Sequence, residues 1–475
     1  MFDFKKIERF LPSIEKPTYK PSLNKKLLWT GLVLTIYYLL SSQLFGHVYG
    51  VMPGAGQQFQ SLQILLGSTF GTLMTLGIGP LVTSSIILQL LVGSKIIDWD
   101  LNDPDEKEKY ESIQKIASIA LCFVEASAFV LGGAVPPSTP DLFTKTIVIL
   151  QLAMGGLIVM FLDEIVSKWG IGSGISLFIA AGVVNTIFIR LFTPFTIAGS
   201  LPSTGNPPAG IFWGFIGGLL VLNFNAIIVN LTPIIATIVV FLMVIYTQGI
   251  SVDIPLSFSS MRGFGRRWSL KLFYTSNIPV ILTAALLANF QLFSGMMARP
   301  LTADPNTKCS FLGCVVQTNG RSTPISGIIY YLSAPTGFIF NLFSGLTSQI
   351  LLRALIYLAF MVGCSILFSV FWINTSGMDA QSVSEQISSI GMQIPGYRSS
   401  PQIIKEVLNK YIPPLAVLGG AAIGLLASIA DFTDAIGSGT GILLLVTIIY
   451  SFYEQLKTER MEGAHPLLKR IMGEE

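Results

Sequence analysis

The sequence predicts an all-α integral membrane protein whose ten transmembrane helices form two inverted five-helix halves. Three observations predict it: a lipid-compatible composition, ten separate apolar stretches of spanning length, and a glycine motif written twice at matching positions. Of 475 residues, 51% are hydrophobic and only 12% charged, against about 25% charged in a soluble domain. With 32 Phe as well, most of the surface suits lipid rather than water.

A spanning helix needs about 20 mostly apolar residues. Such stretches lie at roughly 27–45, 72–92, 112–133, 142–162, 173–190, 231–250, 277–295, 346–373, 412–430 and 437–456. Residues 1–26 are polar and basic, with no apolar core, so no cleavable signal peptide is expected and the N-terminus reads as cytosolic. Two weaker stretches are not counted as spans. "IFWGFIGGLLVLNF" (211–224) is short and follows Asn206-Pro207-Pro208, which suits an interfacial helix in an external loop over 191–230. "LQILLGS" (62–68) is too short to cross alone.

Charge tests this topology. With the N-terminus inside, cytosolic segments hold 23 of the 29 Lys and Arg, as the positive-inside rule requires. Promoting 211–224 to a span would put Arg262, Arg266, Arg267 and Lys271 outside. The organisation is therefore a cytosolic segment 1–26, halves at 27–190 and 231–456, and a cytosolic tail 457–475. Five spans per half is an odd number, so a duplicated half inserts upside down. "GIGSGISLF" opens the fifth span and "GSGTGILLL" the tenth, one from the cytosol and the other from outside.

Neither glycine stretch is a phosphate loop, because Leu177 and Leu444 stand where a Walker lysine would be needed. Small residues that let membrane helices approach closely explain them better. No catalytic or metal site is expected: the two histidines lie in the first external loop and the C-terminal tail, and no paired acids occur within a span. Glu125, in "CFVEASAF", is the one carboxylate deep in a span. Asp163 and Glu164 lie at a cytosolic end, where they cap or solvate. A secondary transporter built from inverted repeats is the alternative, but it calls for several intramembrane acids. Cys122 and Cys364 read as small apolar residues. Cys309 and Cys314, in "KCSFLGC", pair only if their loop faces an oxidising exterior.

Aliphatics flank the glycines. Ile78 and Val82 are four apart, as are Ile175 and Ile179, so each pair shares a helix face. Pro80 stands to kink the second span. Ile281 follows "SNIP", where Ser276 or Asn277 can cap and Pro279 suits a first turn. From the residues alone these are ordinary lipid-facing or core side chains.

"TLGIGPLVTSSIILQLL", "DEIVSKWGIGSGISLFIAAG", "KLFYTSNIPVIL" and "GSGTGILLL" resemble the signature stretches of the SecY family, the large subunit of the protein-conducting channel, in its archaeal form. The resemblance runs through essentially the whole chain. It implies a clamshell around a central hourglass pore, pinched by Ile78, Val82, Ile175, Ile179, Ile281 and Leu444. An uncharged aliphatic collar fits any passing side chain without gripping it, and when empty its narrow throat disfavours water and ions. The resemblance also implies a plug helix at about 57–68, including Gln57, Leu62, Ile64, Leu65 and Leu66, with Gly67 and Gly71 as a hinge.

Signal sequences would leave sideways between spans two and three and spans seven and eight. Thr83, Glu125 and Asn289 match a polar cluster at that seam, where a Glu–Asn hydrogen bond would act as a latch. The family often carries an amide in place of Glu125, which leaves its protonation state open. Arg262, Arg266, Arg267, Lys271 and Arg398 match loops that dock on the ribosome, whose RNA is a polyanion. Small single-span partners of SecE and Sec-beta type would brace the halves in the plasma membrane. The channel would be passive, using no cofactor, and would carry nascent secretory and membrane proteins driven by the ribosome or another motor.

Overall fold

A computed structural model describes residues 14–463 except 20, 43, 53–67, 95, 100, 102, 140, 197–207, 259–264, 276, 298, 302–303, 319–320, 336, 339–340, 343–344, 346, 390–391 and 394–400. Its long helices are α1 (Leu23–Ser41), α2 (Gly79–Gly93), α3 (Pro104–Leu131), α4 (Leu142–Trp169) and α5 (Gly174–Phe192), followed by α6 (Phe224–Gln248), α7 (Ile278–Met297), α8 (Ser348–Thr375), α9 (Pro401–Phe432) and α10 (Gly439–Gly463). Among the described residues eight helical segments are long and apolar enough to cross a membrane, and with α1 and α7 the long helices number ten.

Hydropathy locates these helices, but caps set their ends. At α3 the helix starts well before its apolar run, because the Asp103 carboxylate accepts the Asp105 N–H at 3.1 Å and Pro104 occupies the first turn. Asp105 and Glu106 then complement the positive end of the helix dipole. At α9 the helix likewise begins at Pro401, because Ile404, Leu408 and Ile412 are buried in a separate cluster with Leu270, Ile373 and Val383. That cluster seats the short helix Ala380–Ser389 against α9.

The second span differs from its expected form. Pro80 does not kink a continuous helix over 72–92. A 3-10 turn at Leu73–Thr75 precedes α2, and Gly77 between them has φ +53°, a left-handed conformation that favours glycine. Pro80 then lies in the first turn of α2, where its missing N–H costs nothing.

Two loops hold small sheets that no apolar pattern announced. Strands β1 (Ser251–Phe258) and β2 (Gly265–Lys271) form a hairpin, and β3 (Arg299–Leu301) to β6 (Arg321–Gly327) form a four-stranded meander through β4 (Asp304–Ser310) and β5 (Gly313–Thr318). A two-residue strand, β7 (Met392–Gln393), pairs with the end of β1 through Phe258 and Met392. Cys309 and Cys314 face each other across β4 and β5 and are joined by a disulfide. Residues 211–220 form a helix of 10 residues packed on α6, too short to span.

The halves meet on two sides. On one, α5 packs against α10, and on the other α2 packs against α7 and α8. Within the halves, α2–α3–α4 and α7–α8–α9 pack in sequence. The largest buried cluster lies where all these helices converge.

Candidate functional site

At that convergence the structure gathers the six aliphatics singled out from the sequence. Ile78, Val82, Ile179, Ile281 and Leu444 are all buried in one cluster, and Ile175 packs against it. They come from the start of α2, from α5, from α7 and from α10. Local geometry presents them. Ile78 is the residue before α2, and its carbonyl accepts the Val82 N–H at 3.0 Å, which stacks the two side chains one turn apart. Ile281 sits in the first turn of α7, with its N–H on the Asn277 carbonyl at 3.1 Å.

Val82, Ile175 and Ile281 also help line a cavity of about 480 Å³. Its walls carry neutral polar groups, including Gln89, Gln114, Ser173, Asn277, Thr375 and Gln455. Lys107 and Glu111 at its rim belong to the cytosolic start of α3 in the expected topology. Amides and hydroxyls can exchange hydrogen bonds with a passing backbone without trapping a charge. The cavity is therefore lined by amides, hydroxyls and aliphatics, with Lys107 and Glu111 as its charged members.

The polar cluster assembles at the seam between α2 and α7. The Asn289 Nδ2 donates to Thr83 Oγ1 at 3.2 Å, and the Glu125 carboxyl lies beside the same hydroxyl. The expected direct Glu–Asn link gives way to one relayed by Thr83, because Thr83 stands on the helix between the other two. Each side of the seam is also tied within itself. Ser84 and Ser118 hydrogen-bond at 2.6 Å between α2 and α3, and Thr283 and Ser365 at 3.4 Å between α7 and α8. In membranes such bonds contribute about 0.6–1.7 kcal/mol. Asn289→Ala should therefore ease separation of α2 from α7 by about 1 kcal/mol, or roughly fivefold. Measured as membrane insertion of a marginally hydrophobic segment, an unchanged efficiency would remove the latch from consideration.

The remaining expected residues are placed unevenly. Gln57, Leu62, Ile64, Leu65 and Leu66 lie outside the described residues, as do Arg262 and Arg398. Gly71, which follows that first segment, has φ +83°. Arg266 and Arg267 stand in β2 opposite Leu256 and Pro255. Lys271 is paired with Glu454 of α10, and its ammonium lies 5.0 Å from the centre of the Tyr450 ring. This pair ties the end of β2 to α10 while both side chains stay partly exposed.

Sequence reasoning gave Asp163 only a general capping or solvating role and passed over Asp431. The two carboxylates bind the N-terminal amides of α5 and α10. Asp163 stands nine residues before Gly172 and Asp431 six before Gly437, so an acid shortly before each copy of the motif was the available signal. Glu164, beside Asp163, instead pairs with Lys115 and Lys168 at 3.0 and 2.6 Å.

Comparison with known proteins agrees with this geometry. A family model described as SecY matches residues 72–453. The protein translocase subunit SecY of Pyrococcus furiosus is 40% identical over 477 aligned residues, covering 98% of both chains. A solved structure of a protein-conducting channel superposes with a TM-score of 0.80 at 41% identity, covering 97% of this chain and 98% of the other. Sec61 in a canine ribosome–channel complex from the endoplasmic reticulum matches with a TM-score of 0.77, also at 41% identity, and covers the same shares.

Proposed function

The chain belongs to the SecY family, is a multi-pass membrane protein and forms the protein-conducting channel of a translocase, and from that premise we propose how its own residues conduct and seal. Ile78, Val82, Ile175, Ile179, Ile281 and Leu444 form the constriction through which an unfolded polypeptide passes. The observation that carries this reading is their convergence, from four helices, in one buried cluster that borders a polar-lined cavity. The constriction discriminates by desolvation. An ion would have to shed water that no side chain there replaces, whereas a polypeptide brings its own apolar groups.

Thr83, Glu125 and Asn289 hold the lateral exit closed, and segments apolar enough to prefer lipid part the seam. Segment 57–68 acts as the plug on the external face. The loops bearing Arg262 and Arg398 dock on the ribosome, supported by the pairing of β1 with β7, since these strands lead into the two loops. The canine relative was solved in a ribosome–channel complex, and salt should weaken such a contact here. Small subunits of SecE and Sec-beta type brace the two halves. The protein works in the plasma membrane with both termini cytosolic.

The test is a photocrosslinking residue at position 281 with a secretory chain stalled in transit. The expected result is an adduct between position 281 and the translocating segment. Absence of that adduct, with a known channel crosslinking normally in parallel, would overturn the constriction reading.

A further inference from the structure

The repeated motif resolves into two matching mechanical joints. Gly172-Ser173-Gly174 and Gly437-Ser438-Gly439 each lead a helix whose side chain five residues later belongs to the constriction, Ile179 in one and Leu444 in the other. Gly172 and Gly437 are both left-handed, at φ +73° and +95°. The second glycine of each motif is pressed onto the preceding long helix. A Cβ on Gly174 would lie 2.5 Å from the Asp163 Cα, and one on Gly439 would lie 1.9 Å from the Ala430 carbonyl carbon.

A carboxylate closes each joint. Asp163 Oδ1 accepts the Ile175 N–H at 2.9 Å, and the Gly174 N–H also binds this side chain. In the other half Asp431 Oδ1 accepts the Thr440 N–H at 2.7 Å, its Oδ2 accepts the Thr440 hydroxyl, and the Gly439 N–H binds as well. Tyr357 of α8 donates to Asp431 Oδ2 at 2.6 Å. A helix start leaves four amides without intrahelical partners. Here a neighbouring helix satisfies two of them, so α5 cannot turn or slide on α4, nor α10 on α9, without losing charge-assisted bonds.

We propose that Asp163 and Asp431 are positioning residues for the constriction: each anchors the fifth helix of its half and so sets where Ile175, Ile179 and Leu444 meet the path. The proposal rests on the constriction reading and adds to it the parts that keep the collar tight. The inverted repeat supplies one anchor per half, which aligns the two sides of the collar independently.

Ion conductance of the intact complex in planar bilayers tests it, with Leu444→Asn as the reference for a breached constriction. Asp163→Ala and Asp431→Ala should each raise resting conductance about tenfold, the effect of lowering a barrier by about 1.4 kcal/mol. Asp163→Asn, whose remaining oxygen can still accept the Ile175 N–H, should stay within about twofold of the parent. If Leu444→Asn leaks while the alanine variants do not, the anchors are refuted and the constriction stands. If Leu444→Asn itself does not leak, the constriction reading fails, and the proposal with it. Equal leakage from Asp163→Asn and Asp163→Ala would refute anchoring through hydrogen bonds. Should an alanine variant fail to assemble, Thr440→Val removes one bond and leaves the carboxylate in place. A rise of about threefold is expected there, and parent-level conductance would overturn the proposal.

Discussion

Replacing Leu444 or Ile179 by asparagine should make the resting channel conduct ions about tenfold better, and the double replacement more than either alone. The side chains are buried together in a cluster of aliphatics, with Leu444 1% exposed and Ile179 fully buried. An amide there offers water two donors and an acceptor in a throat that otherwise offers none. Burying a leucine or isoleucine side chain is worth about 1.5–3 kcal/mol, and a loss of 1.4 kcal/mol from the barrier gives the tenfold change. Conductance across a planar bilayer reads the effect directly. Polypeptide transit should be far less affected, because a translocating chain fills the throat whatever its lining. A variant that conducted no better than the parent would locate the seal elsewhere, most directly in segment 57–68.

Gly155→Val should lower the melting temperature of the protein clearly, whereas Gly363→Val should leave it close to the parent's. Both glycines are inside long helices, α4 and α8. A Cβ on Gly155 would lie 1.8 Å from the Leu73 carbonyl oxygen, in the turn that leads to Ile78 and α2. A backbone oxygen cannot rotate away as a side chain can, so the turn must move as a whole. Overpacking of this kind typically costs 1–3 kcal/mol, occasionally more, and here it adds displacement of a constriction residue. Around Gly363 nothing lies within 4 Å of the added Cβ. The check is thermal unfolding of the two purified variants beside the parent. Equal melting temperatures for Gly155→Val and the parent would show that α4 and the Leu73 turn can separate at no cost.

The seam and the cavity are built differently. Along the seam, Asn289 to Thr83 is a single hydrogen bond between α2 and α7, whereas each side is held by its own buried hydroxyl pair. Opening there separates two tied pairs of helices rather than unravelling four. The cavity beside it carries amides and hydroxyls in its lining.

Much of this was legible in the chain because membrane insertion is a one-dimensional problem. Hydrocarbon thickness demands runs of apolar residues and the translocated side excludes Lys and Arg, so the number of spans, their order and the inverted pairing follow from hydropathy and charge. The six aliphatics were singled out only by the family resemblance of the motifs that carry them, and the structure buries five of them in one cluster with Ile175 packed against it. Helix ends and joints were decided only by tertiary structure. Nothing local says that Asp163 caps α5 rather than α4, that Asp431 is shared among α8, α9 and α10, or that Lys271 is held by Glu454. Pro80 illustrates the same divide: its apolar neighbours read as one continuous span, yet the left-handed Gly77 breaks the helix and makes the proline its start. The sequence determined which segments enter the membrane, since each answers to lipid alone. Tertiary structure decided how they grip one another, since a buried N–H or carboxylate takes whichever partner the folded chain brings within about 3 Å.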